Sequence, residues 1–322
     1  MGDLLFTMTK KETKDSLVFL NKKYAHFKDD EIVEVRIAGT RAQIKSSGFK
    51  TPKGHMSIQR KGDDLINTNT GEVIQYKKYN KRIDNIKGIR KSLDDLYWLI
   101  AANVHGRKNE LFLTLTYEEP YQFDPKQAKK DWRNFYKNHL HRDYPNVRYI
   151  AIFEPQGRLY YDRKGNKVPS WHIHVILLGI GSIPKEKLHS WWKKGNISFI
   201  NIGVMKEQKG INNLSEYFTS YATKLDADHM NPMAIRTLKE MENKLQSDDK
   251  TEAKASRLYF YPANFRIYTS SEGLNKPITM YMRYNEVNET TLGTKVNEST
   301  TIVQDAKGKK VNEYKREIFE RS

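Results

Sequence analysis

The segment Trp171-His172-Ile173-His174-Val175-Ile176-Leu177-Leu178 is apolar on both sides of an extended chain except for its two histidines. A strand open to water on one side alternates apolar with polar residues, whereas one apolar on both sides is covered on both. This segment therefore belongs at the centre of a sheet. Two apart on a strand, His172 and His174 project from the same face, where their imidazole nitrogens can converge on one ion. An isolated H-x-H pair is more often structural than a site, so its surroundings decide how it reads.

Immediately upstream, Arg148–Glu154 reads as a strand, and a charged turn at Asp162-Arg163-Lys164-Gly165-Asn166 connects it to the histidine strand as a hairpin. Further out, Leu111–Tyr117 is a compact strand. Trp132, Phe135, Tyr136 and Leu140 share one face of a helix opened near Pro125. Downstream, Pro184–Lys194 reads as a helix stopped by Gly195, and Ile197–Ile202 as a strand. Leu214, Tyr217, Phe218, Tyr221 and Leu225 form one face of a further helix. The order β-α-β-β-α-β-α predicts an α+β fold, a central antiparallel sheet with helices packed on it.

The flanks are less regular. Ser92 followed by Asp95 resembles a capping box, and Leu93, Leu96, Ile100 and Val104 predict a helix over about 93–104. Before it lie a strand at Glu31–Ile37 and loops at Thr51-Pro52-Lys53-Gly54 and Asn67-Thr68-Asn69-Thr70-Gly71. After the core, a polar helix is expected from Asn231-Pro232 to Gln246 and a linker over Lys250–Ser256. Short strands follow at Arg257–Tyr261, Phe265–Thr269 and Pro277–Tyr284, then a loosely ordered polar stretch from Val287. The expected division is a basic N-terminal extension over 1–92 with a possible DNA-binding role, a catalytic domain over 93–230, and a C-terminal helix, strands and tail over 231–322.

Composition narrows the function. Lys and Arg number 56 against 39 Asp and Glu, a net charge of +17, with 19 Tyr and five Trp interleaved. Such a chain attracts polyanions, nucleic acid ahead of a membrane surface. With no cysteine, disulfides, thiolate metal sites and cysteine nucleophiles are excluded, and any metal must be held by His and carboxylate. No run approaches the roughly 18 apolar residues of a membrane span, nor does the N-terminus read as a secretory leader, so a cytoplasmic location is expected.

Two constellations carry chemistry. Glu154, at the end of the strand before the hairpin, would bring a hard oxygen ligand beside His172 and His174. Two imidazoles and one carboxylate leave open positions suited to Mg²⁺ or Mn²⁺ holding a phosphate. The alternative is that Glu154 simply ends its strand in solvent. In Tyr217-Phe218-Thr219-Ser220-Tyr221-Ala222-Thr223-Lys224, both tyrosines and Lys224 lie on nearly one face of a helix. A tyrosyl oxygen can attack a phosphodiester while a nearby cation holds the developing charge. The alternative is an aromatic packing face.

Three blocks in this order, Phe112-Leu113-Thr114-Leu115-Thr116-Tyr117, Trp171–Leu178 and Tyr217–Lys224, resemble the rolling-circle replication initiators of the His-hydrophobic-His endonuclease superfamily, of plasmid and phage type. The resemblance covers roughly 93–230, with an echo of trailing strands at Leu258–Tyr261 and Ile278–Met280. It implies a ferredoxin- or RRM-like core. It also implies that His172 and His174 bind the catalytic divalent ion with Glu154 completing the site, that Tyr221 is the nucleophile, that Lys224 stands beside the metal, and that Tyr217 is a second tyrosine. The implied activity is nicking of one DNA strand, single-stranded or in a hairpin, at an origin. The products are a 5′-phosphotyrosyl adduct and a 3′-hydroxyl primer. No G-x-x-x-x-G-K-[ST] loop occurs, so helicase and polymerase would be host partners.

Other readings remain. A histidine-triad hydrolase needs a third histidine where the chain has Ile176. A relaxase or transposase keeps the chemistry, but relaxases usually place their tyrosine before the histidine motif. A basic DNA-binding repressor would bury the histidines and tyrosines as core and would bind without cleaving.

Overall fold

The computed structural model describes residues 18–47, 58–61, 64–67, 71, 73–75, 81–82, 85–209, 214–215, 257–304 and 307–321. It divides into two compact units, one of residues 1–77 with 277–322 and one of residues 78–276. These boundaries differ from those expected at 92/93 and 230/231. The helix expected from 93 begins earlier, and the last strands belong with the first ones.

The first unit holds β1 (Val18–Lys22), β2 (Ile32–Ala38), β3 (Arg41–Ser47), β4 (Ile58–Lys61), β5 (Asp64–Asn67) and β6 (Val73–Gln75). The second holds α1 (Ile86–Asn103), β7 (Glu110–Thr116), α2 (Pro125–Phe135), a π-helical turn running into α3 (His141–Asp143), and then β8 (Arg148–Tyr161) and β9 (Lys167–Leu178). α4 (Lys185–Trp191), β10 (Ile197–Asn201), α5 (Ile202–Lys209) and β11 (Tyr268–Ser270) complete it. The chain returns to the first unit with β12 (Ile278–Arg283), β13 (Thr294–Gln304) and β14 (Lys310–Glu320).

In the first unit a six-stranded antiparallel sheet runs β1-β13-β14-β3-β2-β12, and β4-β5-β6 form a separate three-stranded sheet. The polar C-terminal stretch is therefore a long hairpin rather than loosely ordered chain. Apolar counting misses it because ion pairs occupy part of its buried face. Lys315 Nζ lies 2.7 Å from Glu31 Oε2 and Lys295 Nζ 2.6 Å from Glu317 Oε1, while Phe319 packs with Val33, Val35 and Ile44. Buried charges are tolerated when each finds its partner.

The second unit has a five-stranded antiparallel sheet in the order β10-β7-β9-β8-β11, with the histidine strand in the middle as its two apolar faces require. From β7 to β10 the order is β-α-β-β-α-β, followed by α5, a helix that the sequence pattern does not announce, and the whole is α+β. Its core joins Leu93, Leu96 and Ile100 of α1 to Leu113, Ile173 and Val175 of the sheet. Asp124 caps α2 by accepting from the Lys126 amide at 2.8 Å, with Pro125 at the first helical position. Trp132 then packs edge-on against Tyr149 at 5.0 Å.

Three local expectations are corrected. α1 starts at Ile86, capped by Asn85 Oδ1 accepting from the Gly88 amide at 2.9 Å, while Ser92 lies inside the helix with its hydroxyl donating to the Gly88 carbonyl. Arg257–Phe260 is a 3₁₀ turn, not a strand. β8 continues seven residues beyond Glu154. The expected helix bearing Tyr217 and Tyr221 and the polar helix over 231–246 lie outside the described residues, although Leu214, the first of that expected face, is helical and buried. Among the described residues, no helix is long and apolar enough to cross a membrane.

Candidate metal centre

Register brings the three predicted ligands together. Glu154 on β8 stands directly opposite His172 on β9, and His174 follows two residues on along the same face. The His174 Nε2 to Glu154 Oε2 distance is 3.0 Å, and His172 Nε2 lies 3.4 Å from that same oxygen. The longer approach is a close electrostatic contact rather than a directed hydrogen bond, leaving His172 Nε2 buried without a hydrogen-bond partner. The imidazole centroids are 4.4 Å apart.

Three further side chains build the site. Thr114, opposite His174 on β7, places its hydroxyl 3.0 Å from His174 Nδ1, and Phe112 stacks along that ring at 5.7 Å. A hydroxyl serves either tautomer; with Nδ1–H donating to it, Nε2 keeps the lone pair a metal takes. Arg257 reaches the other carboxylate oxygen, with one guanidinium nitrogen 2.5 Å from Glu154 Oε1. Gly157 leaves room for it: a Cβ there would sit 3.0 Å from that guanidinium. The 3₁₀ turn carrying Arg257 is anchored by Tyr261, which donates to the Phe153 carbonyl at 2.7 Å and packs edge-on against Trp171.

Charge is balanced within this cluster. Glu154 is 1% exposed, and burial alone would push its carboxyl upward. The interactions with His172 and His174 outweigh burial and hold it well below the ordinary carboxylate value. Tyr261 shows the opposite balance, driven well above the usual phenol value by burial and then by the Glu154 charge. With its hydroxyl spent on a backbone carbonyl, Tyr261 stays a neutral structural phenol.

The donor set fits a divalent ion. Ligands about 2.1 Å from one ion and about 90–110° apart stand about 3.0–3.4 Å from each other. Glu154 Oε2 stands 3.0 and 3.4 Å from the two imidazole nitrogens, and the three donor atoms all lie within 4.8 Å of one another. The orphaned His172 Nε2 is the polar atom such an ion would satisfy.

The sequence therefore identified three residues that the fold brings together, while Tyr217, Tyr221 and Lys224 lie outside the described residues. It missed Thr114 and Arg257. Thr114 had a signal, since it sits in the strand block at the position that faces His174 once β7 is paired with β9. Arg257 had none, being 103 residues from Glu154 along the chain.

No curated protein and no solved structure matches the chain. Residues 110–226, a span that includes Glu154, His172, His174 and the strands that hold them, match the family model of the Replication-associated protein ORF2/G2P, a similarity consistent with a Rep replication initiator.

Proposed function

We propose that this protein initiates rolling-circle replication by nicking one strand of DNA at an origin. The observation that carries the reading is the convergence of Glu154, His172 and His174 inside a replication-associated domain. Two imidazoles and a single carboxylate suit a hard divalent ion, Mg²⁺ or Mn²⁺, with positions left for phosphate oxygens. When bound, such an ion supplies Lewis-acid polarisation of the phosphodiester. Thr114 and Arg257 orient the ligands from behind.

In this reading Tyr221 is the nucleophile. Its phenolic oxygen forms a bond to phosphorus as the bond from phosphorus to the 3′-oxygen breaks. The tyrosyl proton is given up, the departing 3′-oxygen takes a proton, and the products are a 5′-phosphotyrosyl adduct and a 3′-hydroxyl primer. Lys224, three residues on in the sequence, holds negative charge at the reacting phosphate. The adduct conserves the energy of the broken bond, so rejoining needs no ATP. Tyr217, four residues before Tyr221 in the sequence, would accept the second transfer that ends a round.

The test incubates wild type, Tyr217→Phe and Tyr221→Phe with labelled single-stranded origin DNA and Mn²⁺, scoring covalent adducts on a denaturing gel. An adduct lost with chelator and with Tyr221→Phe is the expected result. Adducts unaffected by Tyr221→Phe would reassign the nucleophile. Their absence from every origin-containing strand would favour a repressor that binds without cleaving.

A further inference from the structure

Beyond Glu154 and His172, β8 and β9 continue as a two-stranded ribbon out to the Asp162–Asn166 turn. β8 bulges between Pro155 and Leu159, after which Tyr160 pairs with Val168. Val168 is four residues from His172 on the unbulged strand, so Tyr160 lies on the same face of the ribbon as the metal ligands. At about 3.3 Å per residue it is about 13 Å away along the strand.

Tyr160 is not alone there. Tyr121 lies against it with ring centroids 4.0 Å apart and planes tilted by 31°, and the Arg158 guanidinium stands 5.4 Å from the Tyr160 centroid. The segment carrying Tyr121 is fixed to β9 where β7 has ended, by the Trp171 amide donating to the Gln122 carbonyl at 2.9 Å. Both rings are half-exposed. The ribbon carries Arg158, Arg163, Lys164 and Lys167 against a single acid, Asp162, whose carboxylate is occupied by the turn, accepting from the Lys164 and Asn166 amides. The result is a cationic arm with an aromatic step on the side of the metal centre. A core requires no such step so far from the sheet's centre, whereas unpaired bases stack on aromatic faces beside cations that hold their phosphates.

We infer that Tyr121 and Tyr160, with Arg158 at their edge, form a stacking platform for the unpaired DNA strand leading to or from the metal centre. This rests on the nickase reading for the identity of the strand. The distance of about 13 Å is spanned by about four nucleotides at the stacked spacing of about 3.4 Å, so the platform grips bases close to the scissile phosphate. Stacking ignores base identity, so the platform supplies grip and register while sequence recognition lies elsewhere.

The test is fluorescence anisotropy of the full chain with a labelled oligothymidylate in EDTA, where no cleavage occurs. Tyr160→Ala and Tyr121→Ala should each weaken binding roughly 5- to 150-fold. Tyr160→Phe, which keeps the ring, should bind like wild type. Tyr161→Ala provides the control, since Tyr161 is 70% exposed on the opposite face of the same ribbon. If Tyr160→Ala does not fold, Tyr121→Ala in its loop carries the test. Wild-type affinity in the alanine variants, an equal loss in Tyr160→Phe, an equal loss in Tyr161→Ala, or no binding by wild type would each overturn the platform. Ring-dependent binding by a protein that forms no adduct would sink the nickase and leave the platform standing. Adduct formation with ring-independent binding would do the reverse.

Discussion

Replacing Arg257 by Met removes the cation from Glu154 Oε1 while keeping a long side chain in the space beside Gly157. A hydrogen bond to a charged group is worth about 1.5–3 kcal/mol net, and breaking a fully buried pair costs about 3–5 kcal/mol. The Arg257 side chain is 19% exposed, so water can partly replace it at the carboxylate, and a loss of about 2 kcal/mol is expected. In a unit the size of residues 78–276 that lowers Tm by about 4–8 °C. The loss should depend on metal. In EDTA, Arg257 is the permanently cationic partner of Glu154, whereas Mn²⁺ brings positive charge to the same carboxylate. The Tm deficit of Arg257→Met should therefore shrink to about 2 °C or less in saturating Mn²⁺. Mn²⁺ affinity, read from the free-ion paramagnetic resonance signal, should fall by about 10–100-fold, as when a residue orienting a ligand is lost. Arg257→Lys should recover part of both. A deficit of the same size with and without Mn²⁺, at unchanged Mn²⁺ affinity, would make Arg257 an ordinary packing residue and refute the reasoning.

Glu154 held below its ordinary value of 4.5 stabilises the folded state above about that pH, and the contribution is lost as pH falls toward the lower folded value. The Tm difference between metal-free wild type and Glu154→Gln should thus move toward a lower wild-type advantage as pH falls below about 4.5; a wild-type advantage that grows over that acid range would contradict the assignment. Tyr117→Phe deletes the buried hydroxyl that donates to Asp131 at 2.8 Å and should cost about 1–3 kcal/mol in urea unfolding, with no effect on Mn²⁺ binding. Gly195→Ala puts a Cβ into the backbone of β7's end, against the Thr116 carbonyl oxygen and 2.9 Å from the Tyr117 carbonyl carbon, at a φ of +153°. It should cost more than about 2 kcal/mol, and a variant as stable as wild type would show that β7 and the following loop yield easily. Single-stranded DNA affinity should fall with salt at a logarithmic slope of about 0.7 per phosphate contacted, measured by titration at several salt concentrations, and a flat response would remove the electrostatic footing of the basic surface.

The parts of this architecture legible in the sequence are those that hydrophobic pattern and local chemistry dictate. A strand apolar on both sides has to be central, and β9 is; Pro125 behind Asp124 has to open a helix, and it does. The convergence of Glu154, His172 and His174 was legible because two of them share one strand and the third lies across a tight hairpin, so a short stretch of chain encodes nearly all of their geometry. Where stability comes from pairing between distant charges, the pattern goes silent. β14 presents Lys315 and Glu317 to a buried face, and only their partners, Glu31 and Lys295, make that face acceptable. Arg257 hides for the same reason, since nothing within its 3₁₀ turn marks it as the partner of a carboxylate 103 residues earlier. Its pairing nevertheless has a functional consequence that the ligand triad alone does not have. A buried carboxylate with both oxygens free could swing between one-oxygen and two-oxygen contact with an ion, whereas Glu154 gives one oxygen to Arg257 and presents the other to the histidines. On the proposed nickase reading, this arrangement leaves three protein donor atoms for an ion and room for phosphate oxygens beside them.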